Sequence, residues 1–135
     1  METFKVQVSK TPTGYCASME ALPGWITGVS GSFADLQKEV EESIDFYVDC
    51  AKADGDEYPA GLDGNYNLEY VFSIESLLSF YDGIITRAAL ARLTGINERQ
   101  LGHYICGRSR PRAKQSNKIV SALNLLGKEL SAISV

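Results

Sequence analysis

The sequence predicts an α+β chain: a small, antiparallel-rich sheet with one packed helix, followed by an all-α region. Three observations carry this. Near the start and again near residue 70, apolar residues recur at every second position, the spacing of half-buried strands. From Ser32 to Lys52 they recur every three or four positions, as on one face of a helix. After Ser73 the helical spacing takes over. We therefore divide the chain into residues 1–72 and 73–135. With 135 residues, 44% of them hydrophobic, the chain suits one compact domain or two very small ones.

Phe4, Val6 and Val8 alternate with Lys5, Gln7 and Ser9, which reads as a first strand. Thr11-Pro12-Thr13-Gly14 is turn chemistry, and Tyr15, Ala17 and Met19 then alternate with Cys16, Ser18 and Glu20, completing a hairpin. After the Leu22-Pro23-Gly24 turn, Trp25 to Ser30 reads as a short third strand. Ser32 is a helix N-cap, and Asp35 three residues later forms a capping box with Asp in place of Glu. Phe33, Leu36, Val40, Ile44, Tyr47, Val48 and Ala51 make the stripe of that helix, which is expected to end near Lys52. Residues 53–65 hold three glycines, one proline and four acids and read as a loop. Asp54-Gly55 and Asp63-Gly64 are its turn dipeptides. The acids lack the ligand spacing of an EF-hand. Leu68, Tyr70 and Phe72 predict a fourth strand.

In the second region, Ile74, Leu77, Leu78 and Tyr81 suggest a helix ended by Gly83. Thr86 caps a helix from Arg87 to Thr94, and Gly95 breaks it. Asn97 caps the next, Glu98 to Cys106, which turns Leu101, Tyr104 and Ile105 inward and leaves Glu98, Arg99, Gln100, Gly102, His103 and Cys106 less constrained. Gly107 ends it. Arg108-Ser109-Arg110-Pro111-Arg112 is a basic connector. Ile119, Val120, Leu123, Leu126 and Leu130 form the stripe of a last helix.

The net charge of −4 conceals an asymmetry. Residues 1–72 carry four lysines against thirteen acids, a net of −9, and residues 73–135 carry nine basic residues against four acids, a net of +5. All six arginines lie between Arg87 and Arg112. Opposite charge in the two halves implies two jobs on two surfaces. No run of roughly eighteen apolar residues is present, so no membrane helix is expected. The N-terminus lacks the layout of a signal peptide, so a cytoplasmic location is expected. Cys16, Cys50 and Cys106 are odd in number and far apart, so they read as buried free thiols, not a zinc site or a disulfide framework.

Two helices joined by a short turn, the second projecting steeply from the first, define a helix-turn-helix. A small residue in the first helix, Ala91, lets them approach closely. The second helix can then enter the major groove of double-stranded DNA while basic residues around it meet phosphates. From Thr86 to Lys118 eight Lys and Arg stand against one acid, which weakens the plainer reading of a helical bundle with a solvated face. The stretch TRAALARLTGINERQLGHYICGRSRP, followed by KIVSALNLLG, resembles the lambda-repressor-like (Xre-type) family through Leu90-Ala91, Gly95, Ile96, Leu101, Gly107 and Pro111. The resemblance implies that Arg87 stands where a phosphate-contacting glutamine is usual, and that Asn97, Glu98, Arg99, Gln100 and His103 occupy recognition-helix positions. Arg108, Arg110, Arg112 and Lys114 complete the expected DNA-binding set. Two residues depart from the pattern: Ile105 replaces a common glutamate, and Gly102 costs a helix about 1 kcal/mol relative to Ala.

Residues 1–72 resemble HicB-type antitoxins in the hairpin around Gly14-Tyr15, the Leu22-Pro23-Gly24-Trp25 turn, Thr27-Gly28, and the helix from Ser32 through Phe33-Ala34-Asp35-Leu36 to Ile44. That resemblance implies a partial RNase H-like domain, an order of domains that fits the whole chain, and an antitoxin that blocks a small HicA-like RNA-cleaving toxin and represses its own operon. A toxin that binds RNA should be basic, and an acidic domain complements it. The acidic helix face and the 53–65 loop are the candidate toxin contacts. The alternative is a stand-alone DNA-binding regulator whose first domain senses a ligand or dimerises. Paired copies reading a palindrome predict a homodimer or higher oligomer, with Leu123, Leu126 and Leu130 as a candidate interface.

A metal-dependent nuclease would need clustered carboxylates. The first strand has none, and Glu20 and Glu69, if on neighbouring strands, lack a third partner. His103 is the only histidine, and no Gly-x-Ser-x-Gly elbow occurs. No catalytic activity, cofactor or metal is therefore expected. Trp25, Tyr15, Tyr47 and Tyr70 read as core residues.

Overall fold

Strand β1 (Glu2–Lys10) occupies the interior of a four-stranded mixed sheet of order β3-β2-β1-β4, here described from a computed structural model covering Met1–Val135. β2 (Gly14–Ser18) returns antiparallel to it, with Val8 opposite Ala17, and β3 (Ile26–Ser30) pairs antiparallel with β2. β4 (Tyr66–Phe72) lies parallel to β1, with Phe4 opposite Leu68 and Val8 opposite Phe72. A parallel neighbour needs a long connection, and the chain supplies one through α1 (Phe33–Asp54). The class is α+β, with four strands and five α-helices.

The alternation that marks β1 buries Phe4, Val6 and Val8. These three, with Ala17, Met19, Leu22 and Trp25, form one core with Leu36, Val40, Ile44 and Val48 of α1. Trp25 is anchored at both ends of its chemistry: its ring is buried, and its Nε1 donates to Ser43 Oγ at 2.8 Å. Tyr15, Tyr47 and Tyr70 are only half-buried around this core. At Gly14 no side chain fits, because a Cβ there would stand 1.9 Å from the carbonyl oxygen of Val29.

α1 starts at the expected capping box: Ser32 Oγ accepts from the Asp35 N–H and Asp35 Oδ2 accepts from the Ser32 N–H, both at 3.1 Å. It ends two residues later than expected. Gly55 adopts φ 73°, and its N–H reaches the carbonyls of Ala51 and Lys52, while the Asp56 N–H reaches Ala51. Asp54-Gly55 is thus the end of the helix and not a turn within the loop. The remaining loop contains a single 3-10 turn, Ala60–Leu62, that buries Leu62 against the core.

Asp63 ties this loop to the end of α1. Lys52 Nζ lies 2.6 Å from Asp63 Oδ1, and Tyr58 Oη donates to Asp63 Oδ2 at 2.5 Å. The Lys52 and then the Tyr58 hydrogen bond hold the Asp63 carboxyl below its ordinary value of 3.8, while bonding to Asp63 raises both Lys52 and Tyr58. A lowered carboxyl stabilises the fold above its unfolded value, and that contribution fades as pH falls through the folded one. The raised Lys52 contributes below its ordinary 10.5 and loses this as pH rises further. We expect urea midpoints of the wild type and Asp63→Asn to differ most at neutral pH and to converge below about pH 3.8 and again above about pH 10.5. A pH-independent difference would show that the three groups do not act as an ionic cluster.

Four residues beyond the expected boundary remain attached to the sheet. The Ser73 N–H donates to the Val8 carbonyl at 2.8 Å, and the Lys10 N–H donates to Ser76 Oγ at 3.0 Å. The chain accordingly divides into compact units Met1–Ser76 and Leu77–Val135, with α2 (Ile74–Tyr81) spanning the division.

The second unit contains α3 (Arg87–Thr94), α4 (Glu98–Ile105) and α5 (Ala113–Ser131). Leu78, Leu90, Ile96, Leu101, Tyr104 and Ile119 are buried in it. The stripe of α5 is less buried than its spacing suggests. Ile119 is fully covered, Leu123 and Leu126 are half-buried, and Val120 and Leu130 are exposed. A helical stripe specifies only which side chains share a face. How far another element extends along it depends on the fold.

Two expectations, on the cysteines and on Gly102, need correction, and one possibility left open, on Glu20 and Glu69, is closed. Cys50 and Cys106 are exposed and Cys16 is half-buried: Cys50 falls off the α1 stripe beside Val48 and Ala51, and Cys106 is the C-cap of α4. Glu20 and Glu69 are not on neighbouring strands, because Glu20 follows β2 and β1 lies between β2 and β4. Gly102 is buried, not on the unconstrained face of α4. No three His, Cys, Asp or Glu side chains are grouped to hold a metal ion, and no helix is long and apolar enough to cross a membrane.

Candidate nucleic-acid interface

Local chemistry fixes the α3–α4 pair. Thr86 Oγ1 accepts from the Ala89 N–H at 3.1 Å and starts α3. Gly95, at φ 73°, ends it and returns its N–H to the Ala91 carbonyl. Thr94 then locks the turn from within: its buried hydroxyl donates to the Leu90 carbonyl at 2.8 Å and accepts from the Ile96 N–H at 3.1 Å. Ile96 and Leu101 are buried, so the turn and α4 share one small core. Asn97 starts α4, its Oδ1 accepting from the N–H groups of Arg99 (2.8 Å) and Gln100 (3.3 Å). Glu98 lies in the first turn, where a negative charge suits the helix dipole.

The outward side of α4 lines an open, concave surface. Asn97, Glu98, Arg99 and His103 come from α4 and its cap, Arg87 from the start of α3, and Arg108 from the connector. Six of the ten expected contact residues are therefore gathered in one place. Gln100 is not among them. It is half-buried, and its amide Nε2 donates to Ser109 Oγ at 3.1 Å, which ties α4 to the connector. Arg110, Arg112 and Lys114 are exposed on the connector and the first turn of α5, outside this surface. Asn97 spends its side-chain oxygen on the cap, leaving only its amide NH2 to face a ligand.

Three further residues belong to the surface or govern it. Gly102 and Cys106 line it. Asp82 grips Arg87 through two hydrogen bonds, Arg87 Nε to Oδ1 at 3.2 Å and Nη2 to Oδ2 at 3.1 Å. The Arg87 hydrogen bond holds the Asp82 carboxyl below its ordinary range, so it stays ionised near neutrality, and Asp82 in turn raises Arg87. The five-residue separation of Asp82 from Arg87 matches no helical pairing, so spacing alone did not reveal it.

The first unit offers a different surface. Glu41 and Asp45 of α1 face Tyr66 and Tyr70 of β4 across an open groove. β4 is an edge strand. The buried Tyr70 hydroxyl has no hydrogen-bond partner, and burial, then Glu41, push that phenol up. Tyr66 is raised by burial and then by Asp45 and Glu41. Two carboxylates beside two neutral phenols suit a cationic hydrogen-bond donor.

No family model, curated protein or solved structure matches the chain.

Proposed function

We propose that the protein is an antitoxin that also represses its own operon. Its second unit acts as a helix-turn-helix domain and places α4 in the major groove of operator DNA. Its first unit, read as a partial RNase H-like domain of the HicB type, binds and blocks a small, basic, HicA-like RNA-cleaving toxin. The observation that carries the DNA reading is the exposed side of α4, where Arg99 and His103 are flanked by Arg87 and Arg108 on a single concave surface. Arg110, Arg112 and Lys114 continue the positive charge along the connector. The short turn between α3 and α4 supports this reading, because a helix-turn-helix needs its second helix to follow the first closely.

The toxin reading draws on the net charge of −9 over residues 1–72 and on the groove between α1 and β4. An acidic surface accelerates association with a basic partner and selects against acidic ones. We also propose that the protein self-associates, so that two copies read a palindromic site.

Co-expression with the product of a small open reading frame next to its gene tests the antitoxin role. Relief of growth arrest together with co-purification is the expected result. Rescue or co-purification should weaken on Glu41→Lys with Asp45→Lys, which reverses the groove's charge at two exposed helix positions. If the protein binds DNA but neither rescues growth nor retains any such product, the antitoxin role fails and a stand-alone regulator remains.

A further inference from the structure

Arg87 is held from two sides. Asp82 takes its Nε and one hydrogen of Nη2 in a bidentate pair, yet 39% of the Arg87 side chain and 32% of the Asp82 side chain stay exposed. Cys106 is a further hydrogen-bond partner of the guanidinium, so at most two of its five N–H groups are left for a ligand. The third nitrogen, Nη1, lies over α4 at Gly102: a Cβ on that residue would stand 3.1 Å from Nη1 and, outside the adjoining backbone of α4, would meet no other atom within 4 Å. Gly102 is buried within a helix it disfavours.

We infer that Asp82 and Gly102 are positioning residues for Arg87, which together set its guanidinium between α3 and α4 so that the N–H groups left by Asp82 and Cys106 meet one phosphate of duplex DNA. The carboxylate sets the plane and rotation of the guanidinium, and the missing side chain of Gly102 leaves room for it. This rests on the DNA-binding reading of the second unit. A planar fork fixed in advance loses less freedom when it binds a phosphate. Asp82 also has an opposing effect, since its negative charge repels the phosphate. The two effects predict opposite results when it is removed. If Asp82 only neutralises charge, its loss tightens binding, and if it positions Arg87, its loss weakens binding although the protein becomes more positive.

The experiment uses the full chain and the duplex that the wild type enriches from a randomised pool, read by fluorescence anisotropy. Asp82→Ala and Gly102→Ala are each made alone and with Arg87→Ala. Each single variant is expected to weaken binding about tenfold, the scale of one hydrogen bond to a charged group, and to add nothing once Arg87 is Ala. Gly102→Ala is expected to do so while its melting temperature holds or rises, because Ala favours helix, so lost binding cannot be put down to lost folding. Tighter or unchanged binding by Asp82→Ala overturns the inference, as do losses that simply add to that of Arg87→Ala. Wild-type binding that ignores Arg87→Ala overturns the inference alone, whereas a wild type that enriches no duplex overturns it together with the DNA-binding reading.

Discussion

Replacing Arg99 and Gln100 together by Ala is expected to erase the preference for operator over random DNA while leaving the fold intact. Arg99 stands exposed in the first turn of α4, on the concave surface. A bidentate Arg contact to guanine discriminates by about 1–3 kcal/mol, and removing Gln100 also releases the tie of α4 to Ser109. Losing both should collapse a specificity ratio that is typically at least about a thousandfold. Gln100 contributes differently from Arg99. Its amide already donates to Ser109 Oγ, which ties α4 to the basic connector. Neither side chain fills the core, which around α4 consists of Leu101, Tyr104 and Ile96. Ala is also a better helix former than either residue. Competition between the enriched duplex and random duplex measures the ratio, and circular dichroism checks the helix content. An unchanged ratio in a folded variant would remove α4 from the role of reading helix.

What could be read from the sequence follows from how local each cause is. The Ser32 box, the Thr86 and Asn97 caps and the Gly95 stop involve residues within a few positions of one another, so the chemistry that makes them is visible in a short string. The strands could be read for the same reason, because alternation along Phe4, Val6 and Val8 reports one buried face. Their arrangement could not. That β4 pairs with β1 in parallel, and that β1 therefore separates Glu20 from Glu69, depends on where α1 returns the chain. The limits at the site are of the same kind. Arg87 and the residues of α4 could be placed by spacing and by resemblance. The Asp82 grip on Arg87 and the space above Gly102 arise from three segments meeting, and read linearly, Gly102 is only a poor helix former. Gln100 turns toward Ser109 for a comparable reason, since the connector's path brings that hydroxyl within 3.1 Å.

Salt dependence tests the whole surface instead of one side chain. If Arg99 reads a base, the expected contact set leaves five cations for phosphates: Arg87, Arg108, Arg110, Arg112 and Lys114. Each neutralised phosphate releases counterions and lowers log K by about 0.9 per unit of log salt. If all five engage, affinity should fall by roughly three orders of magnitude between about 50 and about 200 mM salt. The protein's net charge of −4 makes this result informative. Averaged over the molecule, electrostatics would repel DNA, so a steep decline with salt can come only from local concentration of the positive charge, as along α4 and its connector. Substituting Arg110 and Arg112 by Ala should reduce the slope by about two contacts' worth and weaken operator and random duplex alike, because phosphate contacts carry no base information. A response to salt that stays nearly flat would mean that these cations face solvent alone, and the arginine-rich segment would then be a solvated face of a helical bundle.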